Sequence, residues 1–257
     1  MTTSAQEFSH SKLMTAYKVV LIDIDGCLRP PLPFVLDADV LHVLRNYNRR
    51  SGTEDGPVIS LVSGRSQSDL QLLLELIDSP IPGICENGAA CVFPGVDDVI
   101  VDGLVTPEAL ESLAALKDEV KVLVKDRMVT IRSGREWSIT LCATEREHLP
   151  RIREFCDELI IRRGYRLHCL TSARCIDILP KGIDKGVGVI HLAEYLGCSL
   201  SDVVGIGDSA GDIPFLERVG YSACPNNAEA SVKNVTSYVA KSDFAAGVIE
   251  ILTHLIN

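Results

Sequence analysis

The chain has 257 residues, which is enough to bury a substantial core in one large or two modest domains. Its 46% hydrophobic and 23% charged residues are typical of a globular protein and exclude a disordered one. The net charge of -10 argues against a protein that binds nucleic acid by neutralising its phosphates, but it leaves room for a small anionic substrate.

Nine cysteines occur without any Cys-x-x-Cys pair, which favours buried free thiols in a reducing compartment over a disulfide framework or a zinc site. The first residues contain no apolar stretch of the kind found in signal peptides, and no apolar run is long enough to cross a membrane. We therefore expect a cytoplasmic protein with no membrane partner, in which residues 1–16 form a flexible tail. The oligomeric state cannot be predicted.

The first third of the chain alternates between strand and helix patterns. An apolar run predicts a buried strand over 18–23, and spacing of i, i+3, i+4 and i+7 predicts a helix over 40–47. A second strand is predicted over 58–62 and a second helix over 70–77, which ends before Pro80. This alternation predicts a mostly parallel sheet that is covered by helices on both faces.

The middle of the chain follows a different pattern, and the first one then returns. Thr106 and Pro107 predict a helix start with a hydroxyl cap. The other elements predicted in the middle are strands over 128–132, 137–142, 165–170 and 175–179 and a helix over 152–160. Towards the end we predict helices over 189–196 and 244–255 and strands near 203–206 and 237–240. A small α+β unit is therefore inserted into the alternating sheet.

Polar residues follow the predicted strands or begin the predicted helices in the alternating part. Asp23 and Asp25 stand at the end of the first strand, before Gly26. The other residues in such positions are Ser63 and Gly64, Lys185, and Asp208 and Asp212. Because ligands bind at the carboxyl ends of strands in open α/β sheets, these residues predict a catalytic site. One carboxylate could act as a nucleophile while another transfers a proton.

These four groups, in this order, resemble the motifs of the haloacid dehalogenase superfamily of phosphotransferases. The resemblance covers nearly the whole chain from Lys18 and extends to the group of Cof-type enzymes, sucrose-phosphatases and archaeal phosphoglycolate phosphatases. It implies a doubly wound, Rossmann-like parallel sheet with a smaller α+β cap domain inserted, similar to the smaller variant of the superfamily's second cap class. We assign the core to 17–93 and 179–257 and the cap, which would select the substrate, to 94–178.

The resemblance also implies roles for the strand-end residues. Asp23 would be the nucleophile and form an aspartyl-phosphate, while Asp25 would protonate the leaving oxygen and then activate water. Each could instead be an ordinary turn or capping aspartate. Asp23, Asp25 through its backbone carbonyl, and Asp208 would bind Mg²⁺, a cation that prefers oxygen ligands. Asp212 would also belong to the metal site, holding either a metal-bound water or Lys185.

The resemblance implies that a second set of residues would bind the phosphoryl group. Ser63, Gly64 and Lys185 would contact the phosphoryl oxygens, and Asn87 lies in an Asn-Gly-Ala sequence that recurs in the capped phosphatases. Ser63 could also be a plain helix cap, and Lys181 competes with Lys185, although the Gly-x-x-Lys-Gly setting favours Lys185. Two further features have ordinary explanations. Cys27 stands where the family commonly has threonine and is interpreted as a packing residue, and the lone His168 as a structural one.

The predicted cap contains basic residues that could contact a substrate carboxylate or sugar hydroxyl. They are Lys125, Arg127, Arg132, Arg135 and Arg174, and for each of them we favour the solvated surface role. Three functions fit the whole pattern. The first is a Mg²⁺-dependent phosphatase acting on a small phosphorylated metabolite, either a sugar phosphate or a short phospho-acid. The second is a sugar phosphomutase, and the third is a non-catalytic regulatory module of the same fold.

Overall fold

The computed structural model of the protein describes residues 17–30, 36–51, 56–172 and 174–256. The tail expected at residues 1–16 lies outside this part of the chain. None of the helices formed by the described residues combines the length and the apolar character needed to cross a membrane.

The described residues form two sheets. Their strands, in chain order, are β1 (Val19–Asp23), β2 (Val58–Val62), β3 (Gly83–Cys85), β4 (Ala90–Val92), β5 (Val99–Val101), β6 (Val129–Ile131), β7 (Ile139–Ala143), β8 (Leu167–Thr171), β9 (Cys175–Pro180), β10 (Val203–Ile206), β11 (Tyr221–Cys224) and β12 (Tyr238–Val239). The predicted strands are present within a few residues of their expected bounds. The short strands β3, β4, β5 and β11 were not predicted, because three or four residues carry too little periodic pattern.

Helices connect these strands. They are, in chain order, α1 (Ala38–Ser51), α2 (Gln67–Leu76), α3 (Pro107–Glu119), α4 (Lys121–Lys125), α5 (Leu149–Arg163), α6 (Lys185–Leu196), α7 (Ile213–Leu216), α8 (Ala230–Lys233) and α9 (Phe244–Ile256). The predicted start of α3 is confirmed, because the Thr106 hydroxyl accepts a hydrogen bond from the Ala109 N–H and Pro107 occupies the first turn.

The larger sheet has the strand order β12-β11-β10-β1-β2-β3-β4-β5. Its strands are parallel from β12 to β3, and β4 and β5 are added antiparallel at one edge. Alternate residues of β1 belong to two different cores: Val20 and Ile22 pack with α1, α2 and α9, whereas Val19 and Leu21 pack with α6 and α7. Helices therefore cover both faces, and the predicted doubly wound fold is confirmed.

The smaller sheet is antiparallel and has the strand order β6-β7-β9-β8. Helices α3, α4 and α5 supply Leu116, Leu123 and Ile152 to a separate core against this sheet. The inserted α+β unit is therefore present. One detail of the expected boundary is wrong: Val99–Val101 was placed in the insert, but it pairs with β4 in the larger sheet. The remaining predicted boundaries stay predictions.

The expectation that all cysteines are free is wrong for one pair. Cys142 of β7 and Cys175 of β9 form a disulfide, with their Cα atoms 4.1 Å apart. They are 33 residues apart in sequence and meet because the antiparallel register places them directly opposite each other. The other seven cysteines are free, and six of these are buried. The expected cytoplasmic location stays a prediction.

Candidate active site

Three of the predicted site residues meet at the carboxyl end of the central strands. Asp23 is the last residue of β1 and lies opposite Val62 of β2, so Ser63 follows at the same edge. On the other side, Ile22 pairs with Ile206 of β10, and Asp208 comes two residues later. Because β1 is central in a sheet covered on both faces, the carboxylate of Asp23 is only 6% exposed. The topology thus supplies a buried acidic residue at the edge where ligands bind.

Lys185 joins this edge from α6. Asp184 caps the helix by accepting a hydrogen bond of 2.9 Å from the Val187 N–H, which fixes Lys185 as its first residue. The Lys185 Nζ atom lies 2.6 Å from Asp23 Oδ1 and 2.5 Å from Asp212 Oδ1. The alternative Lys181 is exposed. The structure therefore brings Lys185, and not Lys181, to the expected nucleophile.

Asp212 holds the site together through both of its carboxylate oxygens. Oδ1 accepts from Lys185, while Oδ2 accepts from the Asp208 and Ser209 N–H groups at 3.0 and 2.9 Å and from the Ser209 hydroxyl at 3.0 Å. The residue is fully buried. Because protein donors occupy both oxygens, Asp212 positions Lys185 and the loop that carries Asp208. This arrangement supports the Lys185-holding role among those considered for it.

The site holds more negative than positive charge. Burial raises the pKa of Asp23 to about 7 and that of Asp208 to about 8, and repulsion between these carboxylates and that of Asp212 adds to both shifts. Lys185 opposes the shifts, but it supplies one positive charge against three carboxylates. Ligand atoms of Asp23, Cys27 and Asp208 lie within 4.8 Å of one another. The two carboxylates in this group fit a hard divalent cation, which would balance the remaining charge.

Cys27 belongs to this cluster more closely than its interpretation as a packing residue suggested. Its thiol is buried and donates to Asp208 Oδ1 across 3.7 Å. Burial raises the pKa of Cys27 well above its usual value, and the nearby carboxylates of Asp208 and Asp23 raise it further. The side chain is therefore a neutral thiol, which is a poor nucleophile.

Asp25 faces the other way, towards solvent and two arginines. Arg65 donates from Nε to Oδ2 at 3.0 Å and from Nη2 to Oδ1 at 2.9 Å, and Arg29 also forms an ion pair with Oδ1. Burial alone would raise the pKa of Asp25, but the hydrogen bonds and charges of Arg65 and Arg29 outweigh it and lower this pKa below its usual value. Neither arginine was predicted as a site residue from the sequence. Their available signals were the Arg after Ser-Gly and the i, i+4 spacing from Asp25.

Ser63 and Gly64, directly before Arg65 in the chain, lie together with Asn87, which follows β3. Ser63 is buried and does not cap α2, because Ser66 does so by accepting from the Asp69 N–H. The Asn87 N–H donates to the Ser63 carbonyl at 3.0 Å. A Cβ atom on Gly64 would lie 2.9 Å from the Asn87 amide, so this contact requires a residue without a side chain. Asn87 thus contacts the two residues with which it was predicted to bind the phosphoryl group.

Gly26 provides the turn that separates the two aspartates. Its φ of +111° is a conformation that favours glycine, and a Cβ atom there would lie 2.0 Å from Asp208 Oδ2. The Gly26 carbonyl accepts from Asn227 Nδ2 at 2.8 Å, which ties the turn to the chain segment after β11. The close approach of Asp208 to the turn therefore depends on glycine at this position.

Of the five basic residues considered in the insert, Arg135 is the one that turns inwards. The other four, Lys125, Arg127, Arg132 and Arg174, are exposed. Arg135 is half-buried, and its Nε and Nη1 atoms are buried without a hydrogen-bond partner among the described residues. His168 is half-buried, and burial lowers its pKa, in agreement with a structural role.

The chain is similar to known hydrolases in sequence. A model of haloacid dehalogenase-like hydrolases matches residues 139–252. Phosphoglycolate phosphatase from Methanococcoides burtonii is 28% identical over 93% of this chain and 97% of its own length. Phosphoglycolate phosphatase 1 from Saccharolobus solfataricus is 26% identical over 93% and 96% of the two chains.

Solved structures share the fold at lower identity. A protein of Thermoplasma acidophilum superposes with a TM-score of 0.73 at 20% identity, covering 93% of this chain and 98% of its own. The sucrose-phosphatase of Synechocystis, solved with sucrose and phosphate, gives a TM-score of 0.63 at 19% identity over 93% and 97%. The motif order, the fold and these similarities agree, and the chain is similar to haloacid dehalogenase-like hydrolases and to phosphatases of that fold.

Proposed function

We propose that this protein is a Mg²⁺-dependent phosphatase that hydrolyses a small phosphorylated metabolite through an aspartyl-phosphate on Asp23. The observation that carries the proposal is the environment of Asp23. Its buried carboxylate ends the central strand, contacts the Lys185 ammonium at 2.6 Å and lies close to Asp208. A nucleophile and a cation are thus together where a phosphoryl group could enter.

Asp23, Asp208 and the backbone carbonyl of Asp25 would hold the Mg²⁺ ion. When bound, the ion supplies positive charge that reduces repulsion between the anionic phosphate ester and the anionic nucleophile. The excess of carboxylates over Lys185 supports this assignment. Asp212 acts in the same site without offering a free oxygen, because protein donors engage both of its oxygens.

The chemistry begins when an Asp23 carboxylate oxygen attacks phosphorus and forms a new P–O bond. The bond from phosphorus to the ester oxygen breaks, and the leaving oxygen takes a proton from Asp25. Asp25 then accepts a proton from a water molecule, whose oxygen attacks the aspartyl-phosphate. This step releases inorganic phosphate and regenerates the carboxylate of Asp23. Lys185 stabilises negative charge on the transferred phosphoryl group throughout.

Asp25 must change its surroundings to donate a proton. Its contacts with Arg65 and Arg29 lower its pKa, so it is ionised in the described arrangement. We expect substrate binding to draw one or both guanidinium groups away from Asp25. The side chain is 41% exposed, which leaves space for it to rotate towards the leaving oxygen.

The comparisons support a small phosphorylated substrate. Relatives that span nearly the whole chain are named phosphoglycolate phosphatases, and a structural neighbour is a sucrose-phosphatase. Both names describe enzymes that remove phosphate from small molecules. The net charge of -10 supports this substrate class over a nucleic acid.

The proposal is tested by measuring phosphate release from a panel of esters, with Mg²⁺ and with excess EDTA. The panel contains p-nitrophenyl phosphate, phosphoglycolate, phosphoglycerates and several sugar phosphates. We expect turnover of at least one ester that requires Mg²⁺ and an aspartyl-phosphate that can be trapped on Asp23 by mass spectrometry. Absence of phosphate release from the whole panel, or release that EDTA leaves unchanged, would contradict the proposal.

A further inference from the structure

Asn227 connects the turn after β1 to the start of α9. Its Nδ2 atom donates to the Gly26 carbonyl at 2.8 Å, and its Oδ1 atom accepts from the Phe244 N–H at 2.6 Å. The residue is half-buried and lies in the segment that follows β11. The catalytic scheme gives it no part, yet one of its two hydrogen bonds is to the turn that separates Asp23 from Asp25.

These two contacts require an amide side chain in one orientation. The Phe244 N–H donates and the Gly26 carbonyl accepts, so the side chain between them needs an acceptor at one atom and a donor at the other. Phe244 has a φ of +48°, which is uncommon outside glycine, and its N–H is directed to Asn227. An aspartate in place of Asn227 would keep the contact with Phe244 and lose the contact with Gly26, because a carboxylate has no donor.

The same segment also holds the loop that carries Asp208. The Glu229 N–H donates to the Asp208 carbonyl at 2.8 Å, and the Glu229 carboxylate accepts from the Ala210 N–H at 3.2 Å. Residues 227–229 therefore contact both loops that carry the proposed Mg²⁺ ligands, the turn after β1 and the loop after β10. The segment itself supplies none of the proposed ligands.

The two loops approach each other closely at Gly26. A Cβ atom on Gly26 would lie 2.0 Å from Asp208 Oδ2, so the spacing between the turn and this carboxylate depends on where the Gly26 backbone is held. Gly26 directly follows Asp25, whose backbone carbonyl is a proposed ligand. Because Mg²⁺ demands near-ideal octahedral geometry, it binds weakly when its ligands are misplaced.

Resting on the proposed Mg²⁺-dependent function, we propose that Asn227 is a positioning residue for the metal site. Its amide holds the Gly26 carbonyl and thereby keeps the backbone carbonyl of Asp25 and the carboxylate of Asp208 at the spacing that Mg²⁺ requires. Glu229 contributes by fixing the backbone of Asp208. Residues that orient metal ligands in this way typically change metal affinity by about 10- to 100-fold without touching the ion.

The test compares calorimetric titrations with Mg²⁺ of the wild type, Asn227→Asp and Asn226→Asp. Asn227→Asp keeps the acceptor for Phe244 and loses the donor for Gly26. The control makes the same change of charge at the neighbouring, exposed residue, whose Nδ2 atom donates to Asp243. We expect Asn227→Asp to raise the Kd for Mg²⁺ by at least about tenfold, although its added negative charge attracts the cation. Asn226→Asp should not raise it.

Two further readouts separate a positioning role from a merely structural one. The Tm of metal-free Asn227→Asp should stay close to that of the wild type, because the contact with Phe244 persists. Its phosphate release from p-nitrophenyl phosphate should recover as the Mg²⁺ concentration is raised. An unchanged Kd for Mg²⁺, an equal rise in Asn226→Asp, or a loss of activity that saturating Mg²⁺ does not restore overturns the inference.

A second variant covers the case in which Asn227→Asp fails to fold. Asn227→Ala removes both contacts and adds no charge, and it should raise the Kd for Mg²⁺ by a similar factor; an unchanged Kd overturns the inference. The proposed function fails differently. Wild-type protein that binds Mg²⁺ but releases no phosphate contradicts the phosphatase function, and the calorimetric comparison still decides the role of Asn227. Wild-type protein that binds no Mg²⁺ overturns the inference.

Discussion

Ser138 donates a hydrogen bond of 2.6 Å to the carboxylate of Glu86, which connects the insert to the catalytic core. Glu86 lies after β3 with a φ of +43°, and the residues on either side of Ser138 belong to the smaller sheet and its hairpin. The two Glu86 oxygens also accept from the Glu136 and Trp137 N–H groups. One buried carboxylate thus fixes three successive residues of the insert against the core.

Replacing Glu86 with Ala should destabilise the protein. The variant leaves the buried Trp137 N–H and the Ser138 hydroxyl without their acceptor, so we expect the free energy of unfolding to fall by about 1–3 kcal/mol. Urea denaturation measures the change. The control Glu111→Ala removes an exposed carboxylate from α3 and should change stability by less than about 0.5 kcal/mol. Equal effects of the two substitutions would contradict this account of Glu86.

Asp23→Asn should abolish phosphate release while the protein remains folded. An amide cannot attack phosphorus, and it is a poorer ligand for a hard cation than a carboxylate. The measurements are phosphate release and a thermal melt. Asp97→Asn changes an exposed loop residue in the same way and should retain full activity. Turnover by Asp23→Asn at the wild-type rate would rule out the covalent mechanism.

Asp25→Asn should separate two classes of substrate. The variant retains the nucleophile but cannot protonate the leaving oxygen, so transfer from an alkyl phosphate should slow by about 10²–10⁴. Formation of the aspartyl-phosphate from p-nitrophenyl phosphate should be affected much less, because its leaving group needs no proton. A rapid-mix burst experiment distinguishes these steps. The same rate as wild type on an alkyl ester would exclude the acid–base role.

Lys185→Met should lower both the phosphatase activity and the stability of the protein. Removal of the ammonium leaves the buried Asp23 and Asp212 carboxylates without their common partner, which is expected to lower the unfolding free energy by about 3–5 kcal/mol at neutral pH. Chemical denaturation provides the value. Lys181→Met, at the exposed lysine four residues earlier, is the control and should retain activity and stability. Similar behaviour of the two variants would mean that Lys181 shares the role.

Stabilisation by Mg²⁺ should increase with pH. In the metal-free protein the pKa is about 7 for Asp23 and about 8 for Asp208, so both carboxylates are largely protonated at pH 6. Both pKa values are raised above those of the unfolded chain, so metal-free stability should fall as pH rises from about 4 to about 8. Mg²⁺ needs the ionised ligands, and its binding should therefore raise Tm more at pH 8.5 than at pH 6.

A titration with Asp208→Asn provides the control for this pH dependence. This variant should show little stabilisation by Mg²⁺ at either pH, because the second carboxylate of the predicted metal site is absent. An equal rise of Tm at pH 6 and pH 8.5 in the wild type would mean that these two carboxylates are not the ligands.

The sequence predicted well which residues meet at the carboxyl edge of the sheet, because simple rules govern their placement. Parallel strands end at one edge, so Asp23, Ser63 and Asp208 had to lie near each other once their strands were identified. Lys185 followed from its Gly-x-x-Lys-Gly setting at the start of a predicted helix. The contacts of Asp25 with Arg29 and Arg65 could not be predicted, since they depend on how long side chains fold back over a turn.

Features that depend on strand register could also not be predicted from the sequence. The Cys142–Cys175 disulfide requires the exact alignment of β7 with β9, which a periodic pattern does not specify. The same is true of β5, a three-residue strand whose antiparallel partner determines to which sheet it belongs. The inward position of Arg135 distinguished it from four similar basic residues only when the contacts of the insert were known.

The pairing of β1 with β10 constrains how the chain can fold as it is synthesised. Val19 pairs with Val203, and the residues that build the smaller sheet lie between them. The smaller sheet can therefore form on the ribosome while β1 still lacks one of its neighbours. Strand β1, which carries the proposed nucleophile, therefore keeps an unpaired edge until the last quarter of the chain emerges. Substitutions that slow the closing of this long loop should then lower the yield of native enzyme without changing the activity of the molecules that fold.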